Sequence, residues 1–421
     1  VLEDRHTPEI LCTQNEATSH IHPHDLIQMN VPTIGIRLHI SRLIPIALSV
    51  LLFAGCAGVA AEGGGPARSE APKNIILFIG DGMGPAQLTA ATFLRDEMNM
   101  ARMPVGGLIL TSSNDRITDS AAGATALATG RVTNNRMLSI SPEGDPYRLI
   151  TEAAQEMGMR TGVVATSRVV HATPAAFAVS NVNRRAEHEI AAQFLNAPLD
   201  LILAGGTNQF LPEEEGGERE DGRDITAEMQ ERGFSYFDDI GRISETETED
   251  KVLGLFVPQN FEPYPDRGEI TTDLTRAAIA NLSRSDNGFF LMVEGSQIDW
   301  AGHDNLADWM AQEVLDLDNA VGAALDFAER DGNTLVVVTA DHETGGYTLL
   351  RDRSDAQSHE DHFSTGYHSA SAVPIFASGP SAQRFGGLMH QSRVGQLFFE
   401  ILGEGHPNFE PGAADRQTGR P

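Results

Sequence analysis

Six stretches of the chain are continuously apolar: NIILFIG (74–80), TGVVAT (161–166), DLILAGG (200–206), GFFLMVEG (288–295), NTLVVVTAD (333–341) and AVPIFASG (372–379). A strand with one wet face alternates polar and apolar positions, whereas a run with no polar beat suits a strand covered on both faces. Between the runs lie segments with a helical beat. In ADWMAQEVLDLDNAVGAALDFAERDG (307–332), Val314, Leu317, Val321 and Leu325 fall on one stripe, as in an amphipathic helix packed on a core. Buried strands alternating with such helices predict an α/β fold: a three-layer sandwich with a central, mostly parallel β-sheet flanked by helices.

In such a sheet ligands gather beyond the carboxyl ends of the strands, and here those ends carry acid. NIILFIG runs into Asp81, GFFLMV into Glu294, and NTLVVVTA into Asp341-His342. VEGSQIDWAGHDN adds Asp299 and His303, four apart and so on one helical face, and TGYHSASAVP adds His368. Each has an ordinary reading by itself. Asp81 in GDGMG fits a tight turn, and its spacing is not that of a dinucleotide loop. Asp299 and His303 equally suit a surface ion pair, and His368 a loop histidine. Taken together, carboxylates gathered at one sheet edge repel each other unless cations neutralise them. Imidazole with carboxylate and no cysteine suits zinc; a carboxylate, hydroxyl and water set suits magnesium.

TDSAAGATALATG (118–130) opens an Ala-rich helix at Ser120. Asp119 or Ser120 there suits a helix cap. The same place also suits an activated hydroxyl beside an anion held on free helix N–H groups.

With 421 residues, 41% of them hydrophobic, the chain has room for one large domain or two ordinary ones. Its net charge of −29 and pI of about 4.7 argue against nucleic acid as a specific partner. The lysines are Lys73 and Lys251 alone, so the surface looks built for salty surroundings. RLHISRLIPIALSVLLFAGC (37–56) has a basic start and an apolar run too short for a membrane span, and it ends in Phe53-Ala54-Gly55-Cys56, similar to a lipobox. The expectation is an export signal over 29–56 with lipid attachment at Cys56, placing the protein in the periplasm or anchored at the cell envelope. Residues 1–28, ahead of Met29, read as upstream sequence, and 57–72 as a linker. One catalytic domain is expected over 73–405, with an acidic insertion near 213–250 and a loose tail over 406–421. The other cysteine is Cys12, so the mature chain is expected to lack a disulfide.

Six motifs, in order over about residues 73–379, resemble the alkaline phosphatase family: FIGDGMG, TDSAAGATALATG, RVVHATPAAF followed by Asn183-Arg184, VEGSQIDWAGHDN, TADHETGG and GYHSASAVP. The resemblance implies that Ser120 is the nucleophile, phosphorylated during hydrolysis of phosphate monoesters at alkaline pH. It implies one zinc ion on Asp299, His303 and His368, and a second on Asp81, Asp341 and His342. A third metal, usually magnesium, would sit on Asp81, Thr173 and Glu294. Arg184 would clamp phosphate with its planar fork. Where the best-known bacterial members have Asp and Lys, this chain has His171 and Trp300. Both are expected beside the substrate, and the histidine favours zinc in the third site. A homodimer is expected because the family is commonly dimeric. His359 and His362 match no ligand position and read as surface residues. Two alternatives stand: a phosphodiesterase of the same superfamily, and a non-catalytic phosphate- or metal-binding surface lipoprotein.

Overall fold

The structure, a computed structural model, describes residues 71–352 and 359–403. The expectations for residues 1–28, the export signal with Cys56, nearly all of the 57–72 linker and the 406–421 tail lie outside the described residues. Among the described residues no helix is long and apolar enough to cross a membrane.

The first seven strands are β1 Asn74–Gly80, β2 Val105–Leu110, β3 Arg160–Arg168, β4 Leu201–Gly205, β5 Ser235–Phe237, β6 Val252–Leu255 and β7 Phe289–Gly295. Then come β8 Thr334–Thr339, β9 Glu343–Thr344, β10 Tyr347–Arg351, β11 His359–Phe363, β12 His368–Ser369, β13 Val373–Ser378 and β14 Gly387–His390. Ten of them form one sheet in the order β14-β2-β13-β8-β1-β7-β3-β4-β6-β5. Only β13 runs antiparallel to its neighbours, β2 and β8. Every residue of β1, β7 and β8 is buried, which is why these runs lack polar positions. All six apolar runs are strands of this sheet.

Successive side chains of β7 point to opposite faces. Phe289 meets Phe327 of the long Ala307–Asp331 helix at 6.0 Å, while Phe290 meets Phe398 of the Gln391–Ile401 helix at 5.8 Å. Helices therefore cover both sides, giving the three layers. The predicted stripe of the long helix, Val314, Leu317, Val321 and Leu325, is buried. Glu294 shares its face of β7 with Phe290, the side of the Gln391–Ile401 helix, against which the Ser120–Thr129 helix packs.

The acidic runs near 213–250 are mostly exposed, but this stretch is more than an insertion. It contains the Ile225–Glu231 helix and β5, which with β6 completes one margin of the sheet. The exception among its charges is Arg219, buried with its guanidinium donating to the carbonyls of His188 and Gln209.

Candidate active site

β1 pairs with β7 and β8 in a register that sets Ile79 opposite both Glu294 and Thr339, so the chain leaves all three strands at one level. Asp81 follows β1, and Asp341-His342 follow β8. Gly82 turns the chain at φ +82, where a Cβ would lie 2.7 Å from the Asp299 Cα; glycine lets this loop rest on the Gln297–His303 helix. That helix presents Asp299 and His303 one turn apart. His368 arrives because β12 pairs with β9, His368 against Thr344. Asp119 caps the Ser120–Thr129 helix by accepting from the Ala122 N–H at 3.1 Å, leaving Ser120 as its first residue.

Three groups of ligand-type atoms form here, each within 4.8 Å: Asp81 with Asp341 and His342, Asp299 with His303 and His368, and Asp81 with His171 and Glu294. His342 Nε2 lies 3.3 Å from Asp81 Oδ1, 3.2 Å from Asp341 Oδ2 and 3.2 Å from Ser120 Oγ. In the second group, His303 Nε2 and His368 Nε2 stand 3.3 Å apart and 3.3 and 3.4 Å from the Asp299 oxygens. Their outer nitrogens face carbonyls: His303 Nδ1 lies 2.7 Å from Gly366 O, and His368 Nδ1 2.8 Å from Thr118 O. A proton on each Nδ1 leaves both Nε2 lone pairs aimed at one point, the arrangement of a metal site.

The third group completes itself less conventionally. Thr173, expected as a ligand, is buried with its hydroxyl oxygen unpartnered, and His171 shares the space with Asp81 and Glu294. His171 Nε2 lies 3.0 Å from Arg184 Nη2, while His171 Nδ1 is buried with no partner.

Both oxygens of Asp81, Asp341 Oδ2 and Glu294 Oε1 are likewise buried without a hydrogen-bond partner. Burial raises the Asp81 carboxyl well above its ordinary range, with Asp341 adding repulsion. Burial also pushes Asp341 and Glu294 up to about 7. Asp299 goes the other way: burial opposes its charge, but the hydrogen bonds to His303 and His368 hold it well below the usual range. Unpartnered anionic oxygens converging in a dry pocket fit cations. The two His/Asp sets without cysteine suit zinc; the third suits magnesium through its oxygens or zinc through His171.

This sets a stability signature. In metal-free protein the folded carboxyls of Asp341 and Glu294 titrate near 7, well above the roughly 4 of an unfolded chain. The fold then holds extra protons, so its stability falls as pH rises from about 4 through about 7. Bound metal reverses the sign, since its ligands must be deprotonated. Thermal melts of chelator-treated protein should be higher near pH 5 than near pH 8.5, and of metal-loaded protein the opposite. A metal-free melt that rises with pH would count against the reading.

Several contributors carried no sequence signal of their own. The Thr344 hydroxyl donates to Asp299 and lies 3.2 Å from His342 Nδ1, joining two groups. Ser167 and Ser296 both donate to Glu294 Oε2. Buried Glu343 accepts from Gln87, Ser369 and the Gly346 and Tyr347 N–H groups, tying the chain beside His342 to the chain beside His368. Asp119, besides capping, holds Arg184 Nη1 at 3.2 Å. Trp300 is half-buried, its ring edge-on to His171 at 5.9 Å. His359 and His362 are exposed on β11 and belong to none of the three groups. A cleft of about 700 Å³ opens over the site, lined by Ser120, His171, Arg184, Trp300, His303 and His368 among others.

Comparison with known proteins agrees with this geometry. The family profile described as Alkaline phosphatase matches residues 72–358. Alkaline phosphatase 3 of Bacillus subtilis is 37% identical over 74% of this chain and 71% of its own length. Streptomycin-6-phosphate phosphatase of Streptomyces griseus is 33% identical over 83% of this chain and 94% of its own. Among solved structures, the alkaline phosphatase of the Antarctic bacterium TAB5 superposes with a TM-score of 0.76 at 37% identity, covering 79% of this chain and 99% of that one. A variant of that enzyme, with aspartate in place of a histidine, has magnesium bound in its M3 site. The chain belongs to the alkaline phosphatase family. It is an enzyme, a hydrolase of phosphate monoesters.

Proposed function

We propose that hydrolysis runs at alkaline pH through a phosphoserine on Ser120, within a centre of two zinc ions and a third metal ion. The observation that carries this is the position of Ser120: its Oγ lies 3.2 Å from His342 Nε2, at the first residue of a helix and on the wall of the cleft. Asp81, Asp341 and His342 would hold one zinc, and Asp299, His303 and His368 the other. Asp81, Glu294 and Thr173, with His171 beside them, would hold magnesium, or zinc in its place. When bound, the metals supply Lewis acidity and neutralise the charge of phosphate and alkoxide. The Ser120 oxygen attacks phosphorus, the bond to the substrate alcohol breaks, and the phosphoryl group passes to serine. Water then displaces Ser120, restoring its hydroxyl and freeing phosphate. Arg184, steadied by Asp119 at Nη1 and by His171 at Nη2, would offer its remaining N–H groups to phosphate oxygens. The basic and apolar run before Cys56 supports export with lipid attachment, and the family's common dimers support a homodimer.

Thr173 and Glu294 at the third site favour monoesters over diesters. The discriminating assay compares 4-nitrophenyl phosphate with bis(4-nitrophenyl) phosphate at about pH 9 with zinc and magnesium present. The monoester should be hydrolysed faster. Faster diester cleavage would support the diesterase, and release from neither the binding protein.

Trp300 concerns product release. A lysine here would hold phosphate electrostatically and retain product, since product and transition state carry similar charge. Trp300→Lys should tighten inorganic phosphate about tenfold, near 1.4 kcal/mol for one partly solvated charge contact. An unchanged inhibition constant at full zinc content would end this idea. A loss of zinc would instead mark Trp300 as packing for the helix that carries His303.

A further inference from the structure

We propose that Arg136 and Arg185 form a second anion subsite at the rim of the cleft, which selects phosphate monoesters whose alcohol part carries a further negative group. The proposal rests on the phosphatase reading of the site and names its substrate class.

A chain with 59 acidic and 30 basic residues is an unwelcoming surface for a phosphate dianion. Its arginines are mostly spent on its own acids: Arg95 on Asp318, Arg102 on Asp326 and Glu329, Arg223 on Glu228. Four guanidinium side chains line the cleft, those of Arg136, Arg168, Arg184 and Arg185. Arg184 is paired with Asp119 and Arg168 with Glu187. Arg136 and Arg185 have no ion-pair partner among the described residues. The carboxylates that line the cleft are all engaged: Asp119 and Glu187 by these pairs, Asp299 by His303 and His368. The rim therefore presents two free forks and no free acid.

The backbone holds these two arginines beside the phosphate clamp. The Arg184 N–H donates to Arg136 O at 2.9 Å, and the Arg136 N–H donates to both Asp119 oxygens at 3.1 and 3.0 Å. Arg185 follows Arg184 directly, its N–H on Asn183 Oδ1 at 3.1 Å. Arg136 also sits at φ +74, a left-handed conformation that costs a branched or long residue more than asparagine. Asn134 and Asn135 precede it, yet arginine takes the strained position, where its exposed side chain reaches the cleft. Strain of this kind, held by the surrounding hydrogen bonds, points to use. A planar fork suits a carboxylate, sulfate or second phosphate on the leaving alcohol. Phosphorylated hydroxy acids and sugar bisphosphates have that form.

The experiment uses the metal-loaded enzyme and two substrates of matched shape, phenyl phosphate and 4-carboxyphenyl phosphate. The wild type should favour the carboxylated ester in kcat/KM by about tenfold, chiefly through KM. The Arg136→Asn/Arg185→Gln variant should bring the ratio to about one; asparagine at 136 keeps the left-handed turn. Should that pair disturb metal content, Arg185→Gln alone, at an exposed side chain, must still lower the ratio. A wild-type ratio of one or less, or a preference that survives these substitutions, overturns the subsite. Hydrolysis of neither ester by the wild type overturns the phosphatase reading beneath it, a distinct result.

Discussion

Ser120→Ala is expected to lower kcat by about a thousandfold or more while metal content and fold stay as they are. The selectivity of that loss follows from the helix. Asp119, not Ser120, supplies the cap, and alanine is the strongest helix former, so the Ser120–Thr129 helix has no reason to fray. The Ser120 hydroxyl lies 3.2 Å from His342 Nε2. That nitrogen also faces Asp81 and Asp341, so the ligand group persists without the serine. Some hydrolysis should remain, because water can attack phosphorus directly in a site that still binds the ester. Steady-state kinetics with elemental analysis of zinc checks both halves. Wild-type turnover in the variant would refute the covalent route.

Asp81→Asn should do wider damage than any other single ligand change, because Asp81 belongs to two of the three groups. The amide keeps the volume and loses the charge. We expect the loss of more than one equivalent of metal and a fall in kcat/KM of about a hundredfold or more. The metal-free variant should meanwhile melt higher than metal-free wild type. Burial raises the Asp81 carboxyl, and Asp341, Asp299 and Glu294 all repel its charge, so removing that charge relieves the empty cluster. Opposite shifts in the loaded and stripped proteins distinguish a ligand from a merely structural acid. Full metal content in the variant would contradict the assignment.

The strand ends were readable because physics leaves so few ways to end a buried strand in acid. NIILFIG is β1 from its first residue to its last, and GFFLMVEG and NTLVVVTAD bracket β7 and β8. The margins of the sheet were not readable. β2, second from one edge, alternates in exposure, but its residues VGGLIL carry no polar beat to show it, and β5 has three residues, too short for any periodicity. Asp299 and His303 could be placed on one face from their spacing, but the closeness of His368 depends on the β9–β12 pairing, a contact no local pattern encodes. Thr344, Glu343, Ser167 and Ser296 were silent for a similar reason. Polar residues at strand ends and turns are ordinary, and only their neighbours in space show that they hold ligands. Arg184 and Thr173 were reached through family resemblance, not through their own spacing. His171 stands out in the sequence as a departure from the family at the third site, and the fold sets it there with Asp81 and Glu294.

Whether Ser120 carries the phosphoryl group is decided by finding where that group goes. Metal-loaded enzyme is mixed with excess inorganic phosphate, quenched in acid, digested and mapped by mass spectrometry. One phosphoryl group is expected on the peptide that contains Ser120, fragmenting to Ser120 itself, and none on the Ser120→Ala protein. An unmodified Ser120 in enzyme that turns over at full rate, or a phosphoryl group on another residue, would contradict the covalent route through Ser120.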